Sequence, residues 1–328
     1  MSKICITGGS GFIGSHIVEY FQQMSEDIHC ISRAEADIRD VDKLTAAFQG
    51  ADCIIHNAAM ACDWGEYKTF YQNNVYGTIN VMKACKANGI QQIIMAGSCS
   101  VYGEENNKVI KDENSPLNSH YPYFLDNIFP CAMNFYRDTK KEAVEEAIHF
   151  AKSSNMDLTV LNPVWVFGER EFHTGFYEYL KTAKTGIPFI MGSKKNKFHI
   201  IYVKDLAKAY YLAYKADITG INTFVIGNQE AEYMDNIYAL FCEEAGFRKP
   251  ENISKALIYP IGFLLELLYT LLKTKKPPML TRGRVNMFYD NIEYSTQKAA
   301  ELLGFKCEYT LREAISNTVK WYKSEEYL

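Results

Sequence analysis

Positive charge is not in excess in this chain: 35 lysines and arginines stand against 39 aspartates and glutamates, a net charge of −4. Without a basic face there is no electrostatic footprint for nucleic acid, and a partner of that class is not expected. Cysteines at metal or disulfide spacing are also missing. The nine present, an odd number, are scattered through apolar runs such as KICIT and DCIIH, so they read as reduced core thiols of a cytoplasmic protein. The seven histidines fall at no ligand spacing, and no metal is expected. The chain enters KICIT directly, with no basic segment followed by an apolar one, so a secretory leader is not expected either. A hydrophobic run long enough to span a bilayer is absent too. The longest candidate, residues 256 to 272, is broken by Pro260, Gly262 and Glu266 and is shorter than the roughly 20 apolar residues required. It is expected to form a mobile hydrophobic cover over a pocket, in peripheral contact with membranes and not inserted across them.

What is present is a large apolar fraction, 48% of 328 residues, enough for a sizeable core. Up to about residue 165, short β-rich runs (KICIT, IHCIS, CIIHN, QQIIMAG, LTVLN) alternate with helical patterns near residues 12 to 24, 40 to 49, 73 to 88 and 134 to 152. Alternation of this kind predicts an α/β fold, a parallel, doubly wound sheet with helices on both faces. Beyond 165 the pattern loosens and becomes mostly helical, near 175 to 185, 204 to 216, 232 to 245, 256 to 272, 296 to 303 and 310 to 323.

Between the first strand and the first helical pattern lies TGGSGFIG, which sets Gly8, Gly11 and Gly14 in the order G-x-x-G-x-x-G. Glycine there lets the turn tighten, lets backbone N–H groups approach a pyrophosphate at the helix N-terminus, and lets helix pack on strand. A Rossmann-type site follows, with residues 1–165 expected to bind a dinucleotide and 166–328 a substrate, the second region interleaved with the first. The second strand ends at Ser32 and Arg33, where an acid would hydrogen-bond a ribose. A hydroxyl and a guanidinium suit a 2′-phosphate instead, so NADP(H) is expected over NAD(H). Further on, MNFYRDTKKEAV places Tyr136 and Lys140 four apart at the start of a helix, with Lys140 on the apolar stripe of Ala143, Val144, Ala147, Ile148 and Ala151. A lysine there is costly unless something nearby uses its charge.

TGGSGFIG, ADIRD, HNAA, NNVYGT, GSCSVYG, YRDTK and VLNPVWVFG occur in the order found in the extended short-chain dehydrogenase/reductases, within the NAD-dependent epimerase/dehydratase superfamily. The chain resembles that family along nearly its whole length. The resemblance implies a catalytic set of Tyr136, Lys140 and Ser98. Lys140 would hold the nicotinamide ribose and lower the pKa of Tyr136, Tyr136 would exchange a proton with a substrate hydroxyl or carbonyl, and Ser98 would orient that oxygen. It also implies that Phe12, Ile13, Asp37, Ile38, Asn57, Ala58, Ala59, Asn74, Pro163 and Val166 lie along the cofactor, and that the protein is a homodimer through the helices bearing Tyr136 and residues 76 to 88. A nucleophile at Ser98 or Cys99 has no activating base indicated for it, and His56, in CIIHNAA, reads as a packed strand residue.

Departures from the family's patterns narrow the chemistry. Its dehydratases carry an Asp-Glu pair directly after the catalytic hydroxyl; here Cys99 and Ser100 stand there, so dehydration is disfavoured and Ser100 becomes a candidate substrate contact. Its epimerases grip a nucleotide diphosphate with an asparagine and an arginine, at places held here by Trp165 and Phe198. A diphosphate needs donors and positive charge. The pocket is therefore expected to be apolar, lined by Trp165, Phe198, Phe167, Phe172, Phe176, Tyr179 and the helix from Tyr259 to Leu272. The C-terminal part, with KKPPMLTRGRVN and EYSTQKAAELLGF, resembles the 3β-hydroxysteroid and sterol dehydrogenase branch. The expectation is an oxidoreductase interconverting a secondary alcohol and a ketone of a bulky hydrophobic molecule, a sterol or a β-keto or polyketide-like compound. A nucleotide-sugar 4-epimerase is the alternative.

Overall fold

The computed structural model describes residues 3–103, 108–172 and 175–328. β1 (Lys3–Thr7) leads into α1 (Phe12–Gln23), β2 (Asp27–Ile31), α2 (Val41–Ala47), β3 (Cys53–His56), α3 (Tyr67–Tyr71), a π-helical turn over Gln72–Tyr76 and α4 (Gly77–Ala87). β4 (Gln92–Ala96), a 3-10 turn over Cys99–Tyr102, α5 (Ala132–Ser154) and β5 (Asp157–Pro163) follow. Then come β6 (Trp165–Phe167), α6 (Phe176–Lys184), β7 (Phe189–Met191), β8 (Lys197–Phe198), β9 (Ile200–Tyr202), α7 (Val203–Lys215) and β10 (Ile221–Ile226). The chain ends through β11 (Glu232–Tyr233), α8 (Met234–Ala245), β12 (Glu251–Ile253), α9 (Lys255–Leu271), α10 (Arg282–Tyr289), α11 (Gln297–Leu302) and α12 (Leu311–Ser324).

Six strands form one sheet in the order β10-β5-β4-β3-β1-β2, every pair parallel. Successive side chains alternate between its faces. Ile4, Ile6, Ile55 and Leu161 join one core with Phe21 of α1 and Leu206 of α7. Cys5, Ile54, Ile93 and Val160 join the other with Leu44 of α2, Val81 of α4 and Val144 of α5. Coverage on both faces is why the inner strands are apolar almost without interruption, and it is the doubly wound α/β architecture with a mostly helical C-terminal part. β10 lies well past residue 165, so both regions of the chain contribute to the sheet.

Register brings the strand ends level. Thr7 lies opposite Ile31 and His56, His56 opposite Met95, and Ala96 opposite Leu161. The loops leaving these strands therefore meet on one carboxyl edge, and the strand order reverses between β1 and β3, the place where open sheets of this kind bind ligands.

One sequence expectation is revised here. Phe167, Phe176 and Tyr179 are core residues, packed on Tyr238 and Phe241 of α8, and Phe172 packs among Tyr177, Trp321, Tyr322 and Tyr327. Large rings bury against the nearest helix before they line a cleft. Glu266, which interrupts the greasy run of α9, turns inward and is only 2% exposed. Its two carboxylate oxygens accept from Arg282, at 2.9 Å from Nη2 and at 2.8 and 3.0 Å from the backbone N–H and Nε. Arg282 also donates to the carbonyls of Phe124 and Phe129, so one buried pair ties α9, α10 and the loop before α5 together. No helix among the described residues is long and apolar enough to cross a membrane.

Candidate active site

The turn from β1 into α1 is shaped by close approach. Gly8 has φ +73°, and a Cβ there would sit 2.7 Å from the backbone of Ala58; a Cβ on Gly14 would meet the Gly8 carbonyl oxygen at 2.1 Å. Only glycine fits either place. α1 starts at Gly11 with no side-chain cap, so the first N–H groups of the helix, at Phe12 and Ile13, suit an anion. The facing wall is the loop after β3. The Asn57 amide points to the Gly8 carbonyl at 3.5 Å, the Ala58 N–H to Thr7 Oγ1 at 3.3 Å, and Ala59 beside them is exposed. An uncapped helix start behind a turn this tight suits a dinucleotide pyrophosphate.

Ser32 and Arg33 stand exposed at the end of β2. Ser32 Oγ accepts from the Glu35 N–H, and Arg33 Nε donates to Asp37 Oδ2 at 3.0 Å. Arg39, which sequence reasoning passed over, donates to the same carboxylate from Nε at 2.9 Å, from Nη2 at 2.7 Å and from its backbone N–H at 2.9 Å. Its signal was present in ADIRD, two residues from Asp37. The Arg39 guanidinium above all, aided by Arg33, holds the Asp37 carboxyl well below the usual carboxylate range. Asp37, Arg39, Asp40, Gln72 and Tyr76 line a cavity of ≈ 370 Å³. Ile38 packs against Gly77, where a Cβ would be 2.7 Å from Ile38 Cδ1.

Lys140 is buried, as its place on the apolar stripe of α5 requires, and its Nζ donates to the Ala96 carbonyl at the end of β4 at 2.7 Å. Burial pushes its pKa down to about 8. Tyr136, one helical turn earlier, is half-buried. Ser98 stands just past β4, after Gly97, and its Oγ lies 2.8 Å from Ser100 Oγ while capping the 3-10 turn through the Ser100 N–H. Asn162, at the end of β5, accepts from the Ser98 N–H at 3.0 Å and donates to the Tyr102 hydroxyl at 2.9 Å. A Cβ on Gly97 would be 1.7 Å from Asn162 Oδ1, so the glycine before Ser98 is required by this clamp. Sequence reading missed Asn162; the clue is an amide ahead of Pro163 in an otherwise apolar strand end.

Asn74 sits in the π-helical turn with its amide occupied by the protein. Oδ1 accepts from the Met60 N–H at 2.7 Å, and Nδ2 donates to Met60 O at 3.3 Å and Thr139 Oγ1 at 3.1 Å. It fastens the loop after β3 to α5, one residue before Lys140. His56 is held on both ring nitrogens, by Thr7 at 2.8 Å and Thr78 at 3.0 Å. Burial first, and then the charge of Lys140, press its pKa to about 3, so it stays a neutral packed residue. Pro163 and Val166 flank the exit of β5. Trp165 packs on Phe198 with ring centroids 5.4 Å apart, but Phe198, expected to line the pocket, is instead enclosed in the core, so of the two only Trp165 keeps exposed surface.

Glycine turn, Ser98 loop and Lys140 thus converge on one sheet edge, and residues 4–227 match the NAD dependent epimerase/dehydratase family. The chain belongs to that family. It is an NAD-dependent enzyme of the extended short-chain type. A 2-alkyl-3-oxoalkanoate reductase of Stenotrophomonas maltophilia is 26% identical over 336 residues, which cover 95% of this chain and 97% of that one. The 3beta-hydroxysteroid-dehydrogenase/decarboxylase isoform 1 of Arabidopsis thaliana is 25% identical, covering 96% of this chain and 78% of its own. A putative UDP-glucose 4-epimerase of Methanocaldococcus jannaschii is 29% identical, covering 98% of each chain.

Proposed function

We propose that the protein is an NADP(H)-dependent oxidoreductase that interconverts a secondary alcohol and a ketone on a bulky hydrophobic substrate of the sterol or β-keto kind. The observation that carries this reading is the Trp165–Phe198 pair, two packed rings where a nucleotide diphosphate would need an amide and a guanidinium. The reductase and the hydroxysteroid dehydrogenase among the relatives support it.

A dinucleotide held along the glycine turn of residues 8–14, with Lys140 at its nicotinamide ribose, would supply or accept the hydride. The work of the chain is the proton and the geometry. Tyr136 gives a proton to the substrate oxygen in reduction and takes it back in oxidation. The ammonium of Lys140, anchored on Ala96 O, favours the phenolate of Tyr136 one turn away. Ser98, held by Asn162, orients the substrate oxygen, with the Ser100 hydroxyl within hydrogen-bond distance beside it. By family resemblance the enzyme works as a homodimer through α4 and α5.

With NADP(H) present, calorimetry is expected to show micromolar binding of hydroxysteroids or 2-alkyl-3-oxoalkanoates and none of UDP-glucose or UDP-galactose below millimolar levels. A diphosphate without paired donors in an apolar cleft loses several kcal/mol. Tight UDP-sugar binding would favour the epimerase, the reading that the Methanocaldococcus relative supports.

The choice of cofactor rests on Asp37, whose oxygens already accept four hydrogen bonds from Arg33 and Arg39. A carboxylate with its acceptor sites filled is poorly placed to hold a ribose hydroxyl, whereas the two guanidiniums suit a 2′-phosphate. NADPH is expected to bind roughly tenfold or more tightly than NADH, a preference lost when both arginines become alanine. Fluorescence titration of both cofactors checks it, and equal affinities in the parent protein contradict it.

A further inference from the structure

α9 presents an apolar stripe to solvent. Leu257, Ile261, Leu264, Leu268 and Leu271 recur at spacings of four and three, and all are exposed, Leu271 to 71%. The exposed surface widens to the loop before α5. Phe124 packs edge-on against Phe263 of α9 at 5.3 Å and is itself exposed, as are Leu125 and, at 82%, Ile128. Leu272 and Met279 extend it past the helix end. Single exposed aliphatics are ordinary, but a contiguous patch on one element marks an interaction surface.

Charge says which surface it meets. From Lys255 to Arg284 the chain carries six cations and one acid, against a net charge of −4 for the whole protein. Lys255 pairs with Asp290, Arg282 with Glu266 and Arg284 with Asp63, while Lys273, Lys275 and Lys276 are exposed with no acidic partner among the described residues. The one acid of α9, Glu266, is turned inward and neutralised, so the outer face holds no negative charge. We propose that this face docks the protein on an anionic lipid surface, with α9 lying in the plane of the interface and the lysines at the headgroups. A helix of 17 residues, about 25 Å long, lies in such an interface without crossing it. A second copy of the chain fits less well, because pairing this face with itself would bring a cationic segment against a cationic segment. This inference does not depend on which substrate the enzyme uses.

The test is flotation of the full chain with vesicles of phosphatidylcholine alone and of phosphatidylcholine mixed with phosphatidylserine. Binding is expected on the anionic vesicles only, weakening as salt is raised. Converting Lys273, Lys275 and Lys276 to glutamine should weaken it roughly fivefold per lysine, about 10²-fold together. A Leu264→Asp and Leu268→Asp variant should also lose binding, with its melting temperature and NADPH affinity kept. No flotation on anionic vesicles, or flotation indifferent to the lysines, overturns the proposal. So does a concentration-dependent dimer that the Leu264→Asp change dissociates, which would make a second copy the occupant.

Discussion

Replacing Tyr136 by phenylalanine is expected to lower turnover by about 10²–10⁴-fold, the range typical of a lost general acid or base, while NADPH affinity stays nearly unchanged. The substitution removes one hydroxyl from a half-buried ring and keeps the ring itself. Lys140→Met should harm both turnover and cofactor binding, since the proposed role of Lys140 is to hold the nicotinamide ribose and to favour the Tyr136 phenolate. The pH dependence carries its own sign. Burial lowers the Lys140 pKa to about 8, so the ammonium is present below that pH and is lost as the pH rises through it. Ketone reduction is therefore expected to hold steady below pH about 8 and fall above it, and Lys140→Met should flatten that limb. Steady-state rates on the hydrophobic ketone panel, with NADPH titrated separately, read all three effects. A Tyr136→Phe protein with parental turnover contradicts the proposed mechanism.

The second large effect concerns stability. Arg282→Ala is expected to destabilise the fold by about 3–5 kcal/mol, because it leaves the Glu266 carboxylate buried without its partner and the carbonyls of Phe124 and Phe129 without their donor. The magnitude follows from burial, since Arg282 is fully enclosed and Glu266 nearly so. Replacing both charges, Arg282→Met with Glu266→Leu, should recover part of the loss and not all of it. The uncompensated charge disappears, but the two carbonyls still lack a donor. Urea unfolding of the two variants against the parent measures this. A single variant within about 1 kcal/mol of the parent shows that the pair contributes far less than its burial implies.

How much of this was readable in advance depended on whether the signal was local. The glycine turn, the alternation that builds β1 to β5 and the placement of Lys140 on an apolar face are set by neighbours a few residues apart, and the structure forms them as the pattern predicts. β10 was not anticipated as a sheet strand, because INTFVI carries no alternation that distinguishes it from the surrounding helical region and its partner β5 lies some sixty residues back. Glu266 and Arg282 meet across a turn between two helices, a pairing that spacing on one helix does not reveal. Phe167, Phe176 and Tyr179 could be read as pocket or core, since burial in either has the same hydrophobic signature; α8 decides it by covering them. Asn162 and Arg39 were hidden for a different reason. Each acts by holding another residue: Asn162 reaches Ser98 only when the ends of β4 and β5 are brought level, whereas Arg39 holds Asp37 two residues away within one loop, a role that its charge alone does not announce.

The central claim is net oxidoreduction of a hydrophobic carbonyl, as opposed to epimerisation in which the cofactor is regenerated within each turnover. Following nicotinamide absorbance together with product mass, with purified protein, NADPH and either a 2-alkyl-3-oxoalkanoate or a ketosteroid, separates the two directly. The expected result is one NADPH oxidised per hydroxyl formed, abolished in Tyr136→Phe, and no conversion of UDP-glucose to UDP-galactose. Interconversion of the two UDP-sugars with no net change in the nicotinamide would contradict the claim.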